Sequence, residues 1–279
     1  MDNLDELNRY LKKYADQQNI KARSDFEGYS ALEMQILLRG CFQERSLIKL
    51  GQLDREELET IPLLQLVKQL LISVQQLGEM KLTPKGNLPV KVVKDLYTTE
   101  FFESQVIEHG LVKLSKEEAF YPIHLSRILA EVAGITKKRK GKLSLTKKGE
   151  KLLKDDQQLL ECIFKSYCLD FNWAYGDGHE VEETGQLGFA FSCFLLQKYG
   201  DQYRPSEFYG ERYFQAFPSL LTSRKDACLF VYDYRTFERM GEYFGLVTLK
   251  GEFKVIRNNY EVKPTPLFRK FIKITPPRG

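Results

Sequence analysis

Residues 143–150 read LSLTKKGE, and residues 81–88 read KLTPKGNL. Both set a hydrophobic residue and a threonine ahead of a Lys-Gly step, and both stand just before apolar residues at helical spacing. The physical logic is shared. The apolar-Thr pair ends a short strand, the threonine hydroxyl can cap the next turn, and glycine can take a positive φ as the chain swings into a helix.

Working outward from the later copy, residues 125–133 (LSRILAEVA) show a helical period and Gly134 stops it. Residues 135–136 then read as a strand, 137–141 as a turn, 143–146 as the return strand and 150–153 as a helix. The earlier copy follows the same order. Pro62 opens the strongest helical period in the chain, residues 63–77 (LLQLVKQLLISVQQL), and Gly78 caps it. Residues 80–83 read as a strand, Lys85-Gly86 as a turn and 88–96 as another helix. A third, weaker copy has a helix over 234–244, a cap at Gly245 and a strand over 246–249. Turns at Gly251 and Asn258-Asn259 follow, then a return strand over 260–263 and a last helix from Thr265.

Helix, hairpin and return strand are the parts of a winged helix. Residues 125–153 resemble the strand, Leu-Thr-x-Lys-Gly, helix ending of bacterial regulators of the multiple-antibiotic-resistance-regulator type, while residues 63–96 share only that ending. The blocks DFEGYSALEM (25–34), IPLL (61–64), KLTPKGNLP (81–89), FNWAYGDG (171–178), QKYGDQYR (197–204) and QAFPSLL (215–221) are similar to those of an uncharacterised bacterial protein family that keeps them in this order. That resemblance implies a shared fold and no mechanism.

The expected fold is therefore α+β, mainly α, with two or three winged-helix-like units and an aromatic-rich helical segment over 164–230. A soft boundary at Asp155-Asp156 would divide a helical domain, 1–156, from an aromatic-rich domain, 157–279. Residues 2–18, with Leu4, Leu7 and Leu11 at spacings of three and four, predict an amphipathic helix packed on the body as an arm. Ser30 and Glu33 form a capping-box pattern, and Asp54 opens a further helix.

With 279 residues, 43% of them hydrophobic, the chain can bury a sizeable core. No run approaches the roughly 20 apolar residues of a membrane helix, so no membrane partner is expected and a cytoplasmic location follows. The five cysteines are scattered without a C-x-x-C pair and read as buried thiols. Charge is uneven: residues 1–80 carry 10 Lys+Arg against 13 Asp+Glu, 81–156 carry 16 against 10, and 157–279 carry 16 against 15.

The basic excess centres on Lys137, Lys138, Arg139, Lys140 and Lys142, where cations at a wing tip could reach phosphates. Ser126 and Arg127, on the helix before the wing, are candidate readers of bases or phosphates if that helix enters a groove. Asp177, His179 and Glu180 are of types that ligate metal or exchange protons, although their spacing matches no metal signature and Gly-Asp-Gly is a common turn. Aromatics at 199, 203, 208, 209, 213 and 214, interleaved with Lys198, Arg204 and Arg212, could stack bases or form core. No phosphate-cradling glycine loop, G-x-S-x-G or H-E-x-x-H occurs, and no cofactor is implied. The leading expectation is a non-enzymatic protein that binds DNA or RNA. The alternatives are a protein-interaction scaffold and a metal-dependent enzyme centred on 177–183.

Overall fold

A computed structural model describes residues 2–179, 182–252 and 259–278. The chain begins with α1 (Asp2–Asn19), α2 (Ala31–Arg39), β1 (Ile48–Leu50), α3 (Arg55–Glu59) and α4 (Pro62–Leu77). There follow β2 (Met80–Lys81), α5 (Val90–Tyr97), α6 (Gln105–Glu108), α7 (Tyr121–Val132), β3 (Thr136–Arg139), β4 (Lys142–Leu145), α8 (Lys147–Leu152) and α9 (Asp156–Leu169). The rest comprises α10 (Phe189–Tyr199), β5 (Arg204–Pro205), α11 (Ser206–Ala216), α12 (Lys225–Asp233), a π-helix (Tyr234–Glu242), β6 (Val247–Glu252), β7 (Asn259–Pro264), α13 (Pro266–Phe271) and β8 (Ile272–Ile274). Helices dominate and the sheets are small and antiparallel, so the class is α+β, mainly α.

Two compact units emerge, and they do not divide at Asp155-Asp156. One comprises residues 52–172 with 243–245, and the other 1–51, 173–242 and 246–279. Asp155 is an internal cap, its carboxylate accepting from the Gln158 N–H, and the α9 that it starts packs on α4 and α7. Residues 1–51 fall in the same unit as the carboxyl-terminal part because β1 pairs with β8, Ile48 opposite Ile274 and Leu50 opposite Ile272. That pairing joins segments more than two hundred residues apart and leaves no local mark in the sequence.

In the unit built on 52–172, β2, β4 and β3 form one sheet in that order. The stretches LSLTKKGE and KLTPKGNL therefore do not begin separate copies of a unit: Met80 stands opposite Leu143 and Lys81 opposite Lys142 in neighbouring strands. Met80 and Leu143 point into a core with Leu66, Leu70, Val74, Val93, Phe120 and Ile123. The echo records two strands of like environment, each released into a turn.

The repetition present is larger. With the four-residue α6 set aside, the order α4, β2, α5, α7, β3, β4, α8 recurs as α10, β5, α11, α12 with the π-helix, β6, β7, α13. The sheets match as well, β2-β4-β3 and β5-β7-β6. The matching turns agree bond for bond. Gly134 and Gly245 take φ of 65° and 66°, and the next residues, Ile135 and Leu246, donate back to Ala130 and Gly241. Thr146 and Thr265 each donate a backbone N–H to that next residue and cap the following helix, accepting from Gly149 and Phe268. The Asn258 assigned to the third turn lies outside the described residues.

Glycine has two different jobs in the two Lys-Gly steps. Gly86 has φ of 82°, as expected of a turn. Gly149 lies inside α8 with no positive φ; a Cβ there would collide with the Ile135 carbonyl, so close approach requires it.

The other unit has an aromatic core. Trp173, Tyr209, Tyr213, Tyr232 and Phe237 are fully buried, with Tyr213 and Tyr232 ring centroids 4.5 Å apart. The Tyr213 hydroxyl donates to the Leu187 carbonyl and accepts from the Gly185 N–H. The helix α1 touches α2 but buries none of its described side chains against the body as the sequence suggested: every side chain from Leu4 to Ile20 is exposed. Among the described residues no helix is long and apolar enough to cross a membrane.

Candidate nucleic-acid interface

The hairpin of β3 and β4 is tighter than expected, because residues 137–139 are strand and only Lys140 and Gly141 turn. Their φ values of 49° and 71° suit a two-residue turn of the I′ type, whose twist matches the strands it joins. Register then decides which cations share a face. Lys81, Lys142 and Arg139 stand directly opposite one another across the three strands. Side chains alternate along a strand, so Lys137 joins them on the outer face, while Lys138 lies opposite Leu143 on the core side. Lys138 reaches the Gly86 carbonyl at 3.4 Å.

Neighbouring strands are about 4.8 Å apart, and like charges directly opposite are destabilising. One carboxylate answers this row: Glu79 pairs with Lys142 at 2.6 Å. The Lys142 hydrogen bond, then the charges of Lys142 and Lys137, hold the Glu79 carboxyl below the usual range. Lysines on an edge strand also deter unwanted strand pairing, but Lys142 lies on the central strand, where that role does not arise. Lys81 was missed by sequence reasoning because nothing local indicates its place opposite Lys142. The corresponding sheet β5-β7-β6 is compensated: Lys250 faces Glu261, and Lys250 and Lys263 each stand 5.6 Å from the Tyr203 ring.

The two candidate readers on the helix before the hairpin are turned inward. On α7, Ser126 is fully buried and donates to the Pro122 carbonyl, and Arg127 is also buried. Leu125, Leu129 and Ala130 are at zero exposure, so the face of α7 that carries them is buried in its own unit. Arg127 has structural partners instead. Its Nε donates to Glu117 at 2.8 Å, and a second nitrogen donates to Glu131. Glu117 is completely buried, accepts from the Leu88 N–H, and meets His124 Nδ1 at 2.7 Å. These residues clamp the segment before α5 to α7.

The interleaved aromatics and cations pack against one another. The Arg212 guanidinium sits 3.6 Å from the Phe208 ring centroid and Arg204 5.0 Å from it. Glu27 accepts from Lys198 and from the Tyr199 hydroxyl. Tyr209, Tyr213 and Phe214 are core.

The metal candidates are likewise differently employed. Asp177 is buried with its carboxylate 2.7 Å from Arg235 Nε, and 4.0 Å from Arg239. Arg235 also donates to the Glu182 and Thr184 carbonyls, and Arg239 to the Trp173 carbonyl. A carboxylate neutralised by two guanidiniums is a poor cation ligand. His179 lies edge-on to Phe230, ring centroids 5.5 Å apart; Glu180 lies outside the described residues. Among the described residues no three of His, Cys, Asp and Glu stand close enough to hold a metal ion.

The π-helix that supplies both arginines also carries Glu238, whose carboxyl is pushed up to about 7 by burial and then by Glu242, against the pull of Arg239. A raised folded value means that the favourable contribution is complete below the ordinary glutamate range and is lost as pH rises through about 7. Glu238→Gln should therefore raise stability near pH 8 by about 1–3 kcal/mol and leave it unchanged near pH 4. Thermal midpoints at the two pH values test this, and equal gains at both would refute it.

Residues 59–158 match the family model described as the Y4jL N-terminal domain. The matched segment contains the whole β2-β4-β3 sheet and its cation row. No curated protein and no solved structure matches the chain.

Proposed function

We propose that this is a cytoplasmic nucleic-acid-binding protein that grips the phosphate backbone with the outer face of the β2-β4-β3 sheet. The observation that carries this reading is the transverse row Lys81, Lys142, Arg139, extended by Lys137 on the same face and Lys140 at the turn. Such a row costs stability in the free protein, and a polyanion laid along it relieves the cost. The strand order, first beside third and third beside second, and the tight hairpin fit the winged-helix reading. Fold analogy alone would not carry the function. Contact is to backbone rather than bases, because Ser126 and Arg127 of the helix preceding the hairpin are buried. The cytoplasmic reading is supported by Cys41, Cys162, Cys168, Cys193 and Cys228 standing outside any disulfide.

The test is the affinity of the full chain for random duplex and single-stranded DNA over a salt series, measured by fluorescence anisotropy. Log affinity should fall linearly with log salt. In the double variant Lys137→Glu with Arg139→Glu, the duplex slope should shrink by about 2 with the thermal midpoint nearly unchanged. Absence of binding at low salt, or an unaltered slope in the variant, would remove the sheet from consideration.

A further inference from the structure

In the unit that contains residues 246–279, a cavity of about 380 Å³ lies beside the β1–β8 pair. Lys49 from β1, Lys273 from β8 and Arg269 from α13 line it, and among the described residues none of those lining it is acidic. The register sets Lys49 directly opposite Lys273, both exposed, while the flanking Ile48, Ile272 and Ile274 are buried. Like charges so placed are destabilising. A lysine on a strand edge deters stray pairing, and a cation in the last turn of α13 meets the helix dipole. Neither effect requires two lysines opposite one another with an arginine on the same cavity.

Neutral carbonyls hold two of these cations in place. Lys273 Nζ donates to the Arg269 carbonyl at 2.8 Å, and a guanidinium nitrogen of Arg269 donates to the Gly200 carbonyl at 3.0 Å. Among the described residues no carboxylate pairs with Lys49, Arg269 or Lys273, whereas Lys198 and Arg204 of the same unit have Glu27 and Asp201. An ammonium carries three donors and a guanidinium five, so each cation keeps N–H groups for a ligand.

We infer that this cavity binds the phosphate groups of a small phosphorylated molecule. A phosphate brings more than one negative charge to the three cations and accepts several charge-assisted hydrogen bonds at once, where a carboxylate brings a single charge. The volume is that of a small-ligand site, whereas a nucleic-acid strand needs a continuous basic track. The site shares no residue with the β2-β4-β3 sheet.

Calorimetric titration and thermal unfolding of the full chain with pyrophosphate, at fixed ionic strength and without other polyanions, test this. Wild type should bind saturably, and its thermal midpoint should rise with pyrophosphate concentration. Lys49→Gln with Lys273→Gln should weaken binding about tenfold or more, and without pyrophosphate its midpoint should be no lower than that of wild type, since a like-charge pair has been removed. Lys137→Glu with Arg139→Glu should bind pyrophosphate as wild type does, which separates this site from the sheet proposed to grip nucleic acid. A short single-stranded oligonucleotide without terminal phosphates should leave pyrophosphate bound. No saturable binding by wild type, unaltered binding in the Lys49 and Lys273 variant, loss of binding in the sheet variant, or displacement by the oligonucleotide would each overturn the inference.

Discussion

Replacing Glu117 with alanine should destabilise the 52–172 unit by about 3–5 kcal/mol, the usual effect of removing one partner from a buried ion pair. The carboxylate has no exposed surface and serves three groups at once: the Leu88 N–H, Arg127 Nε and His124. Its loss strands an inward guanidinium whose remaining acid, Glu131, is partly solvated, and leaves a buried N–H unsatisfied. The cost therefore arises from the groups left behind. Accordingly, Glu117→Leu combined with Arg127→Leu should recover much of the loss, because a buried pair exchanged for apolar side chains is often neutral. Urea unfolding followed by circular dichroism measures both variants. An alanine variant within about 0.5 kcal/mol of wild type, as for an ordinary surface substitution, would contradict the clamp described for this carboxylate.

Asp177→Ala should be of similar size, about 3–5 kcal/mol, since Arg235 and Arg239 are both buried and share this carboxylate. Asp177→Asn adds a signature in pH. Burial pushes the Asp177 carboxyl up, but the Arg235 hydrogen bond, the His179 N–H and the charges of both arginines more than offset this, so it lies below the ordinary range. A depressed folded value contributes stability that is present above about pH 4, the unfolded value, and is lost as pH falls through the folded one. Wild type should thus lose stability on the acid side more steeply than Asp177→Asn. The chain has one tryptophan, Trp173, buried and accepting from Arg239 through its carbonyl, so its fluorescence reports on this cluster directly. Parallel acid limbs for the two proteins would show that Asp177 titrates without linkage to folding.

The two clusters illustrate how far residue types can be read for function. Arg127 and Asp177 stood out because charge in a helical or glycine-rich stretch suggests a site. Both are instead internal ties, and the partners that make them so, Glu117 and Arg235, lie ten and fifty-eight residues away. The hairpin cations were legible because they lie close together in the sequence. Their arrangement was not, since Lys81 becomes part of the row only when β2 lies beside β4.

Local chemistry was enough to place several helix ends. The Ser30 and Asp54 capping boxes, Pro62 at a first turn and Gly134 at a helix end all act through neighbours within a few residues, and all occur as the sequence indicates. The sequence by itself also determined the mainly helical class and the basic hairpin. Tertiary structure alone decided which strands are neighbours: that β1 meets β8, that the two echoing stretches share one sheet, and that the same order of elements occurs twice. The reason is that strand pairing is made by backbone groups identical in every residue, so the choice of partner depends on which apolar faces can be buried together, and no single segment records that.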